Sequence, residues 1–162
     1  MINSVEDHAG ASQHWLEQLQ NEGYRLTAPR QAVVEIIANS PYLLDPQDIY
    51  DQARQVYPRL GLVTVYRTLE KLEELGLVQR VHHPDGCQAF IAATRGHQHL
   101  LICERCSRVQ YFSGDGEHMD QLMDSVAEES GYRIREHWLQ LFGLCAECLQ
   151  QIQAAEEAKS ET

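Results

Sequence analysis

The chain reads as an α+β protein in two halves, on three observations. Apolar residues at helical spacing, punctuated by Pro and Gly, fill the region from residue 12 to 76. Two short apolar segments then flank Pro84-Asp85-Gly86, a strong hairpin signal. Beyond residue 94, strand-like and helix-like segments alternate around two C-x2-C pairs.

Each element follows from local signals. Residues 1–11 are polar and read as a flexible tail. From Ser12 onward Trp15, Leu16 and Leu19 recur at helical spacing, and Gly23 stops the run. Thr27 is the expected N-cap of a second helix, with Pro29 in its first turn and Val33, Val34, Ile36 and Ile37 on its apolar face. Asp45-Pro46 repeats the start signal, and Ile49, Tyr50, Ala53 and Val56 are expected to face inward. A fourth helix runs from Val63 to a stop at Gly76, with Val65, Leu69, Leu72 and Leu75 inward. The hairpin LVQRVHH–CQAFIA follows. In the second half HLLICERCSRVQYF reads as strand, turn and strand. DGEHMDQLMDSVAEESG reads as an amphipathic helix with Met119, Leu122, Met123 and Val126 inward. YRIREHWLQLFGLC reads as a strand, and CAECLQQIQAAEEA begins a last helix. These boundaries place one domain at 1–92, a second at 93–150, and an acidic tail at 151–162.

Helices followed by a hairpin predict a winged helix-turn-helix over residues 12–92, its last helix entering the major groove of DNA. A helical domain merely capped by a hairpin fits the same elements, and charge separates the two. The 162 residues carry a formal net charge of −11, which at first argues against nucleic acid. That average hides a local exception. Residues 52–68 hold Arg54, Arg59 and Arg67 and no acid, with Tyr57, Thr64 and Tyr66 suited to phosphates or base edges. Arg25 and Arg30 extend the basic set. There is no apolar run long enough for a membrane span and no signal-peptide pattern at the start, so the expected location is cytoplasmic.

Cysteine usage points to metal. An odd count of five argues against a disulfide framework. Cys103 with Cys106, and Cys145 with Cys148, can close a tetrahedral zinc site, all four thiolates reaching one ion at about 2.3 Å. Such a site is saturated and structural. The second half, small for an independent core, would also gain from dimerisation.

The chain resembles the ferric uptake regulator family of metal-dependent bacterial repressors. The matching stretches are YRLTAPR (24–30), TVYRTLEKLEELGLV (64–78), GHQHLLICERC (96–106) and HWLQLFGLCAEC (137–148). The resemblance implies a winged-helix DNA-binding domain, a hinge, and a small α/β dimerisation domain. It gives the structural zinc to Cys103, Cys106, Cys145 and Cys148. It sets Tyr66 and Arg67 where the recognition helix meets DNA, and Arg25 where a basic residue reaches the minor groove. His97 and His99 match histidines of the hinge sensor site, and His118 and His137 match positions of an accessory site in some relatives, or could alternatively join His97 or His99.

Departures from the iron-sensing pattern are informative. Gly96 and Gln98 stand where many relatives have His and Asp, and Tyr111 where an iron sensor usually has Glu. Those lost oxygen donors disfavour Fe²⁺ and Mn²⁺. His83 and Cys87 flank the hairpin turn, and with His97 and His99 they make a Cys-His₃ set suited to zinc. His82 is the rival wing ligand. The resemblance is thus to the zinc uptake regulator branch, with one structural and one regulatory zinc per chain. The expected function is a dimeric regulator of zinc-homeostasis genes, zinc acting as corepressor on a palindromic operator. An iron- or peroxide-responsive regulator of the same family is the alternative. No H-E-x-x-H or comparable pattern supports an enzyme, and a zinc-ribbon interaction module would bind no DNA in response to zinc.

Overall fold

The computed structural model describes residues 2–3, 11–82, 86–94, 98–113 and 116–160. In chain order the elements begin with β1 (Ile2–Asn3), α1 (Ala11–Asn21), α2 (Ala28–Ala38), α3 (Pro46–Val56) and α4 (Leu62–Glu74). They continue with β2 (Val78–His82), β3 (Gln88–Ala92), β4 (His99–Cys103), β5 (Val109–Phe112), α5 (Gly116–Ser130), β6 (Gln140–Gly143) and α6 (Ala146–Ser160). The fold is α+β. It divides into two compact units, Val5–Thr94 and Arg95–Thr162, the latter taking in Met1–Ser4. Among the described residues no helix is long and apolar enough to cross a membrane.

The first unit is a winged helix-turn-helix. Thr27 takes the N-cap position of α2 in an extended conformation without a side-chain cap hydrogen bond, and Pro29 sits in the first turn. Asp45 forms a full capping box with Asp48: its side chain accepts the Asp48 N–H at 2.7 Å and the Asp48 carboxylate accepts the Asp45 N–H at 3.3 Å. The core is built from Leu19, Val33, Val34, Ile37, Ile49, Val65, Leu69 and Leu72. Each such side chain contributes about 1.5–3 kcal/mol on burial. Gly76 ends α4 with φ +66°, its N–H bonding Glu73 O while Leu77 N–H bonds Leu72 O, a Schellman closure. The wing pairs β2 with β3 antiparallel, Val78 opposite Ala92 and His82 opposite Gln88. A third segment joins it where Leu44 and Phe90 exchange both backbone hydrogen bonds, at 3.0 and 2.8 Å.

The second unit is a four-stranded sheet in the order β1-β5-β4-β6, with α5 as the crossover between β5 and β6. β4 pairs antiparallel with β5 and parallel with β6, Cys103 standing opposite Gly143.

Several expectations are corrected. Val56 is 67% exposed rather than inward, because α3 ends there and Leu60, beyond the turn, occupies the core. Leu122 and Val126 are exposed, and no residue of α5 is buried: within the chain nothing described covers that stripe. The strand expected from Tyr132 is confined to Gln140–Gly143. β6 is an edge strand and pairs only along the length that β4 offers, from Leu100 to Cys103. Ile2–Asn3, expected in a tail, pairs with Tyr111–Phe112 of β5.

Candidate metal centre and nucleic-acid face

The sulfurs of Cys103, Cys106, Cys145 and Cys148 all lie within 4.8 Å of one another. Sheet topology brings them together. Cys103 ends β4, and a tight turn with Ser107 at φ +59° carries Cys106 back beneath it. The turn is closed by Ser107 N–H on Cys103 O and Cys103 N–H on Arg108 O, both at 2.9 Å. Because β6 runs parallel to β4, the chain leaves β6 on the same side, and Cys145 and Cys148 flank the start of α6. The helix N-terminus favours the negative charge of thiolates. Arg105 donates to Cys148 O at 3.1 Å and Arg108 pairs with Glu147 at 2.7 Å, clipping the two turns together.

The donor set fits a tetrahedral cation. Cys106 and Cys145 sulfurs are 3.8 Å apart, and a tetrahedron with metal–sulfur bonds of about 2.3 Å has an edge of about 3.8 Å. Protonation tells the same story. Burial raises the Cys103 thiol, but backbone N–H groups of Cys145, Cys106 and Arg105 outweigh it and hold it at about 6. Burial and the neighbouring thiols push Cys148 up to about 12. Four crowded sulfurs cannot all ionise unaided, and a divalent cation supplies the missing charge.

The remaining candidate ligands belong to both units. His83 and His97 lie outside the described residues. His82 is exposed at the end of β2 and Cys87 is exposed beside β3. His99 is 2% exposed at the start of β4, its ring centroid 5.2 Å from both Phe112 and His137. His99 and His137 are therefore neighbours, the arrangement in which His137 joins His99. His118 is exposed near the start of α5. Tyr111 is buried, and burial pushes its phenol well above the ordinary range. Among the described residues the four-cysteine group is the one cluster of three or more such ligands.

The outward face of α4 carries Val63, Tyr66 and Arg67, while Val65, Leu69 and Leu72 face the core. Thr68 is wholly buried and donates to the backbone carbonyl of Thr64 at 2.7 Å, and Thr64 itself is half-buried. Arg59 is exposed in the turn between α3 and α4, and Arg25 is exposed ahead of α2. Neither Arg59 nor Arg67 has an ion pair among the described residues. Arg54 instead packs over Tyr50, 5.3 Å from its ring. Val63 was not singled out from the sequence. At 63% exposure it offers apolar contact of the kind a thymine methyl accepts; its mark in the sequence is a valine off the apolar stripe.

The model of the ferric uptake regulator family matches residues 21–142. The chain is similar to the peroxide operon regulator of Bacillus subtilis, 32% identical over 133 residues that span 82% of this chain and 90% of that protein. In fold it is similar to the ferric uptake regulator of Helicobacter pylori, at TM-score 0.66 and 21% identity over 91% of this chain and 97% of that one. It is equally similar to a zinc uptake regulator complexed with zinc and DNA, at TM-score 0.66 and 23% identity over 91% and 98%. A winged helix whose α4 carries an exposed face, a four-sulfur cluster and a family match over most of the chain agree: the protein belongs to the ferric uptake regulator family of metal-responsive transcriptional regulators, which are not enzymes.

Proposed function

We propose that the protein is a zinc-responsive regulator that binds a palindromic operator of zinc-homeostasis genes as a homodimer, with zinc as corepressor. It acts in the cytoplasm, where its operator is. The Val5–Thr94 unit is assigned to DNA and the Arg95–Thr162 unit to dimerisation and metal. Cys103, Cys106, Cys145 and Cys148 hold a structural zinc. His83, Cys87, His97 and His99 hold the regulatory one. His82 is the lesser wing candidate, since its cross-strand partner is Gln88 rather than Cys87, and His118 and His137 are lesser candidates for an accessory site.

The observation that carries the zinc reading is the exposed Cys87 thiol, outside the four-sulfur cluster and at the hairpin end of the wing. A soft sulfur donor favours zinc over Fe²⁺ or Mn²⁺. Tyr111 supports it: where the resemblance to iron sensors expects a carboxylate, a buried neutral phenol stands. The exposed Leu122 and Val126 stripe supports a second copy covering α5. Arg25, Arg59, Thr64, Tyr66 and Arg67 are assigned to DNA, the arginines gripping phosphates and the reading helix meeting base edges. Zinc favours the DNA-binding arrangement by the difference in its affinity for the two states.

DNA binding measured against buffered free Zn²⁺, Fe²⁺ and Mn²⁺ tests this. Zinc alone should promote binding, with about two zinc ions per chain. Binding that follows iron, with one zinc and a redox-active iron per chain, would favour the iron- or peroxide-responsive reading, to which the Bacillus subtilis relative lends weight.

A further inference from the structure

The Arg80 side chain lies where three elements of the wing and reading helix converge. It projects from β2, and its guanidinium grips Glu73 in the last turn of α4 through two parallel hydrogen bonds, Nε to Oε1 at 3.0 Å and Nη2 to Oε2. Nη1 donates to Gln88 Oε1 on β3 at 2.9 Å. The guanidinium also stacks over Phe90, 5.2 Å from the ring centroid. Phe90 is the residue whose backbone is tied to Leu44. One planar group thus contacts α4 and β3 from β2, using both its fork and its face.

The positions at either end of this contact matter. Gln88 follows Cys87 in the chain and stands opposite His82. Glu73 is one helical repeat of seven residues from Tyr66, so both lie on one stripe of a continuous helix. Beside the core that Val78, Phe90 and Ala92 share with Leu69 and Leu72, the Arg80 guanidinium thus adds a polar link from the start of β3 to α4. Arg80 and Glu73 are 33% and 34% exposed. An isolated pair with that exposure adds little to stability, so the geometry, rather than the ion pair, is its distinguishing feature.

We propose that Arg80 is a positioning residue that locks the wing to the DNA-reading helix, so that metal captured beside Cys87 sets the presentation of Tyr66 and Arg67. The inference rests on the role assigned above to α4 and Cys87. Arg80 itself is not assigned a DNA contact, since its three donating nitrogens are directed at Glu73 and Gln88.

The test uses the full metal-loaded chain and a duplex selected from a random library by the wild-type protein with zinc. Arg80→Met and Glu73→Gln should each lower affinity for that duplex by about three- to tenfold, with zinc per chain unchanged. The double variant should lose no more than either single one, because the two residues act as a unit. Arg80→Lys should behave as Arg80→Met, since one ammonium cannot reproduce the fork. Additive losses, a wild-type-like Arg80→Lys, or no loss at all would overturn the clamp; the lysine result would mark a simple phosphate contact. If wild-type affinity ignores zinc while the losses remain non-additive, the zinc-sensing reading fails and the clamp stands. Amide exchange supplies a readout without DNA. Arg80→Met should speed exchange together at the last turn of α4 and at Gln88–Phe90, and unchanged exchange at both overturns the proposal.

Discussion

The backbone N–H of Cys145 points at the sulfur of Cys103, 3.3 Å away across 42 residues of sequence. This bond does two things. It helps hold Cys103 as a thiolate despite burial, at about 6. It also sets the chain leaving β6 against the end of β4 before any ion is considered.

A proton count checks the consequence for metal binding. At pH 7 Cys103 is already ionised, whereas Cys148, raised to about 12, still carries its proton. Filling the four-sulfur site of the metal-free Cys87→Ala chain, which keeps no second thiol ligand, should therefore release fewer than four protons. Below about pH 6 Cys103 regains its proton, so the number should rise toward four while affinity falls. Calorimetry in buffers of different ionisation enthalpy measures this directly. A release of four at pH 7 would show that the Cys103 thiolate is not preformed.

Removing the centre should destabilise what it pins without unfolding it at room temperature. Cys103→Ser, or exhaustive chelation, should abolish the structural ion and destabilise the Arg95–Thr162 unit by several kcal/mol, since metal binding there is linked to folding. Thermal melting with zinc analysis checks it. The helices of the Val5–Thr94 unit have their own core and should keep most of their far-UV signal.

Cys87→Ala and His99→Ala should separate sensing from structure. Each should reduce zinc from about two ions per chain to about one, and each should abolish the zinc-dependent rise in DNA affinity. Full retention of zinc-dependent binding in Cys87→Ala would exclude this residue as a sensor ligand.

Arg67→Ala should weaken duplex binding by about tenfold and reduce the slope of log affinity against log salt by about one. Arg67 is exposed and has no ion pair to lose among the described residues, so melting temperature and zinc content should stay unchanged.

Gly76→Ala should cost about 1 kcal/mol of stability. A Cβ there would meet no atom within 4 Å, so the cost comes from φ +66° alone. Denaturant unfolding checks it, and a Gly76→Asn variant should lose less because Asn tolerates that region better.

Much of this architecture was legible from the sequence because its signals are local. Asp45-Pro46, Thr27 with Pro29, and Gly76 act within a few residues of themselves, and the helices they bound are observed. What escaped depends on partners distant in sequence. Val56 sits at the right period to be buried, but the core position goes to Leu60 after the turn. The Leu44–Phe90 bridge leaves no alternation to read, because it is a single pair. Tyr132 to Leu139 has strand-like composition, yet strand length is set by how far β4 extends beside it. The two cysteine pairs were readable from spacing, while their meeting depends on the parallel pairing of β4 with β6. For the histidines, the resemblance leaves open whether His137 joins His99 or an accessory site, and the fold sets the two rings 5.2 Å apart.

The wide separation of the cysteine pairs also has a meaning in time. Cys106 and Cys145 are 39 residues apart, and at roughly 5–20 residues per second of synthesis the second pair follows the first by about two to eight seconds. During that interval the ribosome displays a half-built ligand set that cannot enclose an ion, while the winged helix behind it already has every residue of its core. A chain that stops before Cys145 holds the whole Val5–Thr94 core but only two of the four sulfurs. Assembly of the four-sulfur cluster therefore waits on synthesis of Cys145 and Cys148, while the winged-helix core waits on neither.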